Sequence, residues 1–328
     1  MHRRAPSQRV ISLRSGRETH EGRLKHTVSL VLTVYGYTVR GELVETLVGK
    51  VLADRYEIES EIGRGARGIV YKARQPEPEP IVAIKVLFDD MIYDDTAFER
   101  FSWEAHSATL LSHPNIINVF DFGLTDEGSA YLAMECLDGE NLQDVLDRER
   151  KLPLRRGLKI FIQIADALAH AHSQGIMHRD IKPENIILMR GGDQTDFIKI
   201  VDFGIAKSFS ALPGADLATA DQLIGSPAYM SPEQCVGERH IDARSDIYSL
   251  GCLMYAALTG VLPIGGATPE ETMSRHMSVD PPPLAQACPG ALIPANVQEV
   301  VMKCLKKFPE ARYQTMLQLK SDLGMLLK

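Results

Sequence analysis

His178-Arg179-Asp180-Ile181-Lys182-Pro183-Glu184-Asn185, followed after one apolar run and a turn by Asp202-Phe203-Gly204, decides how this chain is read. The two stretches set two acidic groups and a carboxamide near one another. Asp180 is suited to take a proton from an attacking hydroxyl. Asn185 and Asp202 offer oxygen ligands, which a hard cation such as Mg²⁺ prefers. The layout is H-R-D-x-x-x-x-N and then D-F-G.

Upstream, Gly63-Arg64-Gly65-Ala66-Arg67-Gly68-Ile69-Val70 reads G-x-G-x-x-G-x-V. Dinucleotide-binding loops share the first six positions, but such a loop opens a helix. Here Ile69-Val70-Tyr71-Lys72-Ala73 continues as a strand, so the glycines are expected in a hairpin whose N–H groups can approach phosphate oxygens. Pro76-Glu77-Pro78-Glu79-Pro80 is a turn, because proline lacks the donor a strand needs. Val82-Ala83-Ile84-Lys85 then alternates as the next strand. Asp94 or Asp95 can cap a helix along which Phe98, Phe101, Ala105, Ala108 and Leu111 recur at helical spacing. Two strands are expected next, over 117–122 and over Ala130–Glu135. From Gly139 and a helix near Asn141 the pattern turns helical, and Gly175 ends the helix that leads into the His178 stretch. Strands are expected at Ile186–Met189 and 197–201, and 205–224 carries few apolar positions, as a loop would.

Together these motifs resemble those of protein kinases. The chain is most similar to the eukaryotic-like serine/threonine kinases of bacteria, from about Tyr56 to its C-terminus. H-R-D-I-K-P-E-N is specific by its length alone. Finding it in order with V-A-I-K, D-F-G and Ser231-Pro232-Glu233 leaves little room for another fold. The resemblance implies an α+β, two-lobed fold. A small β-rich N-lobe with one main helix would span 56–137, and a larger, mostly helical C-lobe 138–328.

It also implies ATP and Mg²⁺, with a role for each matched residue. Asp180 would be the base, and Asn185 and Asp202 the metal ligands. Lys85 would fix the α- and β-phosphates, braced by Glu104, which fits the family pattern better than Glu99. Lys182 would neutralise the γ-phosphate, and a lysine there resembles Ser/Thr rather than tyrosine kinases. Ile62, Gly63, Arg64, Gly65, Ala66, Arg67, Gly68, Ile69 and Val70 would cover the nucleotide. Ala83, Met134, Glu135, Leu137 and Ile187 would surround adenine, with the backbone of Glu135-Cys136-Leu137 hydrogen-bonding it. Asp246 would hold the backbone around Asp180, and Arg312 would pair with Glu233. Arg179 is of a kind that often binds a phosphate on the loop after D-F-G, with Thr219 the first acceptor and Ser210 the second. Two departures from the family are Ile264, where phenylalanine is usual, and Ser226, where threonine is commoner. Neither removes a chemical group.

Composition bounds the rest. With 328 residues, 45% hydrophobic and 24% charged, the chain can bury two lobes with a cleft between them. A net charge of -7 argues against general nucleic-acid binding. Its 5 cysteines are odd in number and never spaced C-x-x-C, which fits free thiols in a reducing cytoplasm. No apolar run reaches the roughly 18 residues of a membrane span. Residues 1–26 are basic, too long a lead for a signal peptide and without a small-residue cleavage site. Residues 1–55 are therefore read as a disordered basic extension with a strand at 28–39. The expected function is ATP-dependent phosphorylation of protein Ser/Thr hydroxyls in signalling, with self-association for autophosphorylation. The alternative is a pseudokinase that binds nucleotide without turnover. Such proteins normally lack the lysine or a catalytic aspartate, whereas Lys85, Asp180 and Asp202 are all present here.

Overall fold

The computed structural model describes residues 30–34, 37–41, 46–65, 68–76, 80–88, 95–190, 196–203, 227–238, 241–290 and 292–328. The chain forms two compact units, Met1–Thr46 and Leu47–Lys328. In the first, β1 (Leu30–Val34) pairs antiparallel with β2 (Tyr37–Gly41). The single strand expected over 28–39 is thus a hairpin, with Leu30 opposite Gly41 and Val34 opposite Tyr37.

The second unit reaches back beyond Tyr56 to Leu47. Its first strand, β3 (Val51–Leu52), pairs with the start of β4 (Tyr56–Gly65), and Leu47 and Leu52 pack on the same apolar cluster as Tyr56. β4 continues through β5 (Gly68–Arg74), β6 (Ile81–Leu87), β7 (Val119–Leu124) and β8 (Ala130–Glu135). Among the described residues these form a 6-stranded antiparallel sheet in the order β3-β4-β5-β6-β8-β7. Successive strand residues face opposite ways. Val82 and Ile84 therefore enter one core with Tyr56, Tyr71 and Ala133, while Ala83 faces a second cluster with Ile117 and Met134. The same alternation turns Lys85 to the Ala83 side. α1 (Asp95–Thr109) lays Phe101, Ala105 and Ala108 on the sheet, and Phe101 meets Phe122 edge-on at 6.2 Å.

β7 begins at Val119, later than the expected 117. Ile116 and Ile117 are taken by β11 (Ile198–Ile200) instead: Ile116 bridges Ile200 in parallel, and Ile117 N donates to Ile200 O at 3.0 Å. The residues before β7 thus tie the small lobe to the large one.

In the large lobe, α2 (Leu142–Glu149) starts at an Asn141 cap, and α3 (Leu154–Ser173) ends before Gly175, whose φ is 75°. A small sheet joins β9 (Gly139–Asn141), β10 (Ile186–Met189) and β11. Gly139 is required there, since a Cβ would lie 2.5 Å from Leu188 O. α4 (Pro232–Cys235) and α5 (Arg244–Thr259) follow, and α5 is buried on every side, as a helix at the centre of a lobe must be. α6 (Pro269–Ser278), α7 (Leu284–Ala287), α8 (Ala295–Cys304) and α9 (Met316–Met325) complete the lobe. Ile264, the departure from phenylalanine, is 2% exposed, a core position that an aliphatic side chain fills. All five cysteines are free. Among the described residues no helix is long and apolar enough to cross a membrane.

Candidate active site

The segment from His178 to Asn185 has no regular structure until the 3-10 turn Pro183–Asn185, so its shape comes from outside. Asp246, near the start of α5 and 1% exposed, supplies it. Its Oδ1 accepts from Arg179 N at 2.7 Å and its Oδ2 from His178 N at 2.8 Å. His172 Nε2, at the end of α3, lies 2.8 Å from the same Oδ2. Burial works to raise the Asp246 carboxyl, but the bond and charge of His172, with those of His178, hold it below the usual range. Burial also drives the His178 imidazole down. Its Nε2 faces Val201 O at 2.9 Å, and its ring packs on Phe203 at 4.7 Å. The expected role of Asp246 is therefore visible in its contacts.

Two residues here take backbone conformations that favour glycine: Arg179, with φ 63°, and Asp202, with φ 60°. Each such conformation costs roughly 1–2 kcal/mol for an ordinary residue and persists only where its surroundings over-determine it. For Arg179 they do. Asp246 takes its N–H, and Gln234 Nε2 of α4 donates to its carbonyl at 2.9 Å. Gln234 itself is set by a capping box with Ser231.

The groups so placed converge. Asn185 Nδ2 donates to Asp180 O at 2.8 Å and stands 3.4 Å from Asp180 Oδ2. Lys182 Nζ is also 3.4 Å from Asp180 Oδ2. Val201 N donates to Asn185 O at 3.0 Å, which brings Asp202 beside Asn185. Lys85 Nζ bonds Asp202 Oδ1 at 2.6 Å across the cleft between the lobes. The side chain of Glu104, the expected brace of Lys85, lies outside the described residues.

A divalent cation fits these donors. Asn185 Nδ2 is committed to Asp180, which leaves Oδ1 as the amide atom for a cation, and Asp202 contributes a carboxylate. Both are hard oxygen donors. No group of three or more His, Cys, Asp or Glu among the described residues could hold a metal alone. The remaining ligands would have to come from elsewhere, as substrate phosphates and water do for Mg²⁺.

Near these polar groups lies an apolar cluster. Ala83, Ile117 and Met134 are buried in it, with half-buried Val70, Cys136, Leu137 and Val201 packed against them. Glu135 closes β8, and half-buried Ile187 lies on β10. Over it, β4 and β5 pair out to Gly65 opposite Gly68, with Gly63 opposite Val70 and Arg64 opposite Ile69. Ile62 stands 51% exposed, and Arg64 is bonded to Glu61 at 2.7 Å. Gly68 is required by its close approach to β6, since a Cβ would meet Val86 O. Ala66 and Arg67 lie outside the described residues, as do Gly204, Ile205, Ser210, Thr219 and Ser226.

Sequence reasoning missed His172, Gln234 and Lys199. His172 and Gln234 look like ordinary polar residues at helix ends, and nothing local says which backbone they reach. Lys199 left a trace: a lone cation inside the apolar run Phe197-Ile198-Lys199-Ile200-Val201.

A family model of the protein kinase domain matches residues 56–323. Serine/threonine-protein kinase pkn3 of Myxococcus xanthus is 38% identical over 277 residues, which are 84% of this chain and 50% of that protein. Serine/threonine-protein kinase PknB of Mycobacterium tuberculosis is 38% identical over 275 residues, 83% of this chain and 43% of that protein. The chain thus spans half or less of the length of these relatives. The crystal structure of the Mycobacterium tuberculosis PknI kinase domain superimposes with a TM-score of 0.68 at 29% identity, covering 86% of this chain and 99% of that one.

Proposed function

We propose, because this chain belongs to the protein kinase family, that it transfers the γ-phosphoryl group of ATP to serine and threonine hydroxyls of proteins. The observation that carries this reading is the meeting, in one cleft, of the Lys85–Asp202 pair with Asp180, Lys182 and Asn185.

The transition state of phosphoryl transfer is loose and its charge sits on oxygens, so positioning and electrostatics do most of the catalysis. Asp180 orients the acceptor hydroxyl and takes its proton. Lys182, beside Asp180, neutralises the γ-phosphate. Lys85 fixes the α- and β-phosphates, with Glu104 as its brace. The hairpin of Ile62 to Val70 covers the phosphates with backbone N–H groups. The backbone of Glu135 and Leu137 hydrogen-bonds adenine, with Ala83, Met134 and Ile187 around the ring. Asn185 and Asp202 would hold Mg²⁺, which would neutralise negative charge on the phosphates. The names of the similar proteins and Lys182 support Ser/Thr specificity. We place the protein in the cytoplasm, in signalling, with self-association for autophosphorylation of the loop after Asp202 at Thr219 or Ser210.

Incubation with labelled ATP, Mg²⁺ and a generic basic protein tests the reading. Transfer of label supports it. Nucleotide binding without transfer would identify a pseudokinase instead.

Threonine is expected to be the better acceptor. Ile205, outside the described residues, follows Asp202-Phe203-Gly204 and in kinases lies near the acceptor's β-carbon. Isoleucine is β-branched and stiff at χ1, so threonine's methyl can pack on a fixed surface. Burying one such group is worth about 0.8 kcal/mol at most, which is about a fourfold rate preference. Two peptides differing only in Ser or Thr, compared by kcat/KM, decide it, and equal rates would refute it.

A further inference from the structure

We propose that Lys199 is a positioning residue for the nucleotide, holding the carboxylate of Glu135 to the strand that leads into Asp202. The inference rests on the kinase reading above and assigns a task to a buried cation which that reading does not use.

Lys199 is the middle residue of β11. Its neighbours Ile198 and Ile200 are fully buried in the core of the large lobe. Strand alternation turns Lys199 to the opposite face. It is nevertheless only 8% exposed. A buried ammonium is costly unless paired and hydrogen-bonded. Lys199 Nζ donates to Glu135 Oε2 at 2.8 Å and to Ile116 O at 3.3 Å. The same Oε2 accepts from Asn118 N at 3.3 Å, while Glu135 N donates to Asn118 O at 2.9 Å. One ammonium therefore joins the end of β8, the residues before β7, and β11.

Stability does not explain the choice, because a buried ion pair is often no better than well-packed apolar residues of similar volume. Geometry does. Glu135 opens the segment Glu135-Cys136-Leu137 that would hydrogen-bond adenine. β11 runs through Val201 into Asp202, which would hold the metal on the phosphates and which bonds Lys85. The two ends of a bound nucleotide are thus read by two segments, and the Lys199–Glu135 pair sets their separation. Main-chain bonds reach the two segments only by way of the residues before β7: Ile117 N donates to Ile200 O, Ile200 N to Asn115 O, and Glu135 N to Asn118 O, whereas the Lys199 ammonium joins β11 to the Glu135 side chain directly.

ATP affinity, measured directly by calorimetry with Mg²⁺, and steady-state kinetics on a basic protein test this in the full chain. Lys199→Met should raise both Kd and KM for ATP about tenfold, with kcat changed by no more than about twofold. Lys199→Arg, which keeps the charge, should recover most of the loss. Lys199→Met combined with Glu135→Gln leaves no buried charge alone, so it serves if the single variant does not fold. It should show the same loss in ATP affinity as the single change, because both break one link. ATP affinity equal to wild type in the folded variants would overturn the proposal. So would a higher kcat at unchanged KM, which would make the pair a restraint on turnover. If the wild-type chain bound no ATP, the kinase reading would fall and this inference with it. Binding by wild type that the variants leave unchanged would remove this inference alone.

Discussion

Asp180→Asn is expected to abolish phosphoryl transfer while leaving ATP binding nearly intact. Asp180 lies against Lys182 and Asn185, whereas Lys85 reaches across the cleft to Asp202. On the proposed reading, the acceptor hydroxyl and the nucleotide would therefore be served by different side chains. Removing a general base costs about 10²–10⁴ in rate. Asparagine keeps the volume and the backbone carbonyl that Asn185 binds, so the loop keeps its shape. Label transfer should fall by at least about a hundredfold. The rise in melting temperature caused by ATP and Mg²⁺ should match that of the wild type. Near-wild-type turnover in the variant would show that Asp180 is not the base.

Arg312→Ala is expected to cause the largest loss of stability. The guanidinium binds Glu233 through two parallel bonds of 2.7 and 2.8 Å, and the two residues are 2% and 6% exposed. It also donates to the carbonyls of Lys306, Lys307 and Arg244. The expected Glu233–Arg312 pair is thus present, and it ties α4 to the end of the large lobe. Truncation leaves a buried carboxylate with Ser245 and its own backbone N–H but no countercharge, and breaking a buried pair costs about 3–5 kcal/mol. At about 2–4 °C per kcal/mol for larger domains, the melting temperature should fall by roughly 10 °C.

The pH dependence has a definite sign. Burial works to raise the Glu233 carboxyl, but Arg312 and Ser245 outweigh it and hold it below the usual range. A depressed carboxyl contributes stability that is present above its unfolded pKa, about 4.3, and is lost as pH falls through the lower folded value. The gap between wild type and variant should therefore be widest near neutral pH and narrow in acid. Superimposable melting curves at neutral pH would show that the pair contributes nothing.

Most of the reacting groups were legible in the sequence because they sit close together along the chain. Asp180, Lys182 and Asn185 lie within one segment, and Asp202 follows after a single hairpin. Alternation along Val82-Ala83-Ile84-Lys85 fixes which way the lysine points once the strand is recognised. Strand ends were less legible. Ile116 and Ile117 have the composition of a strand opening β7, yet they pair with β11, and a periodic pattern does not say which partner a strand edge will find. The short strand ahead of Tyr56 was illegible for the same reason. Val51 and Leu52 carry too little pattern to stand out, and only their pairing with Tyr56 and Glu57 makes them a strand.

The sequence by itself determined which groups the proposed chemistry would use: Asp180 as base, Asn185 and Asp202 as oxygen ligands, two lysines and a glycine hairpin, each set by residue type and short-range spacing. Tertiary structure alone decided what holds them. Asp246 reaches His178 and Arg179 from a helix far along the chain, Gln234 takes the carbonyl of Arg179, and Lys199 reaches Glu135. These are single side chains meeting partners distant in the chain. Hydrogen bonds and ion pairs form over about 3 Å, so the match depends on the final distance between atoms and leaves no period in the sequence.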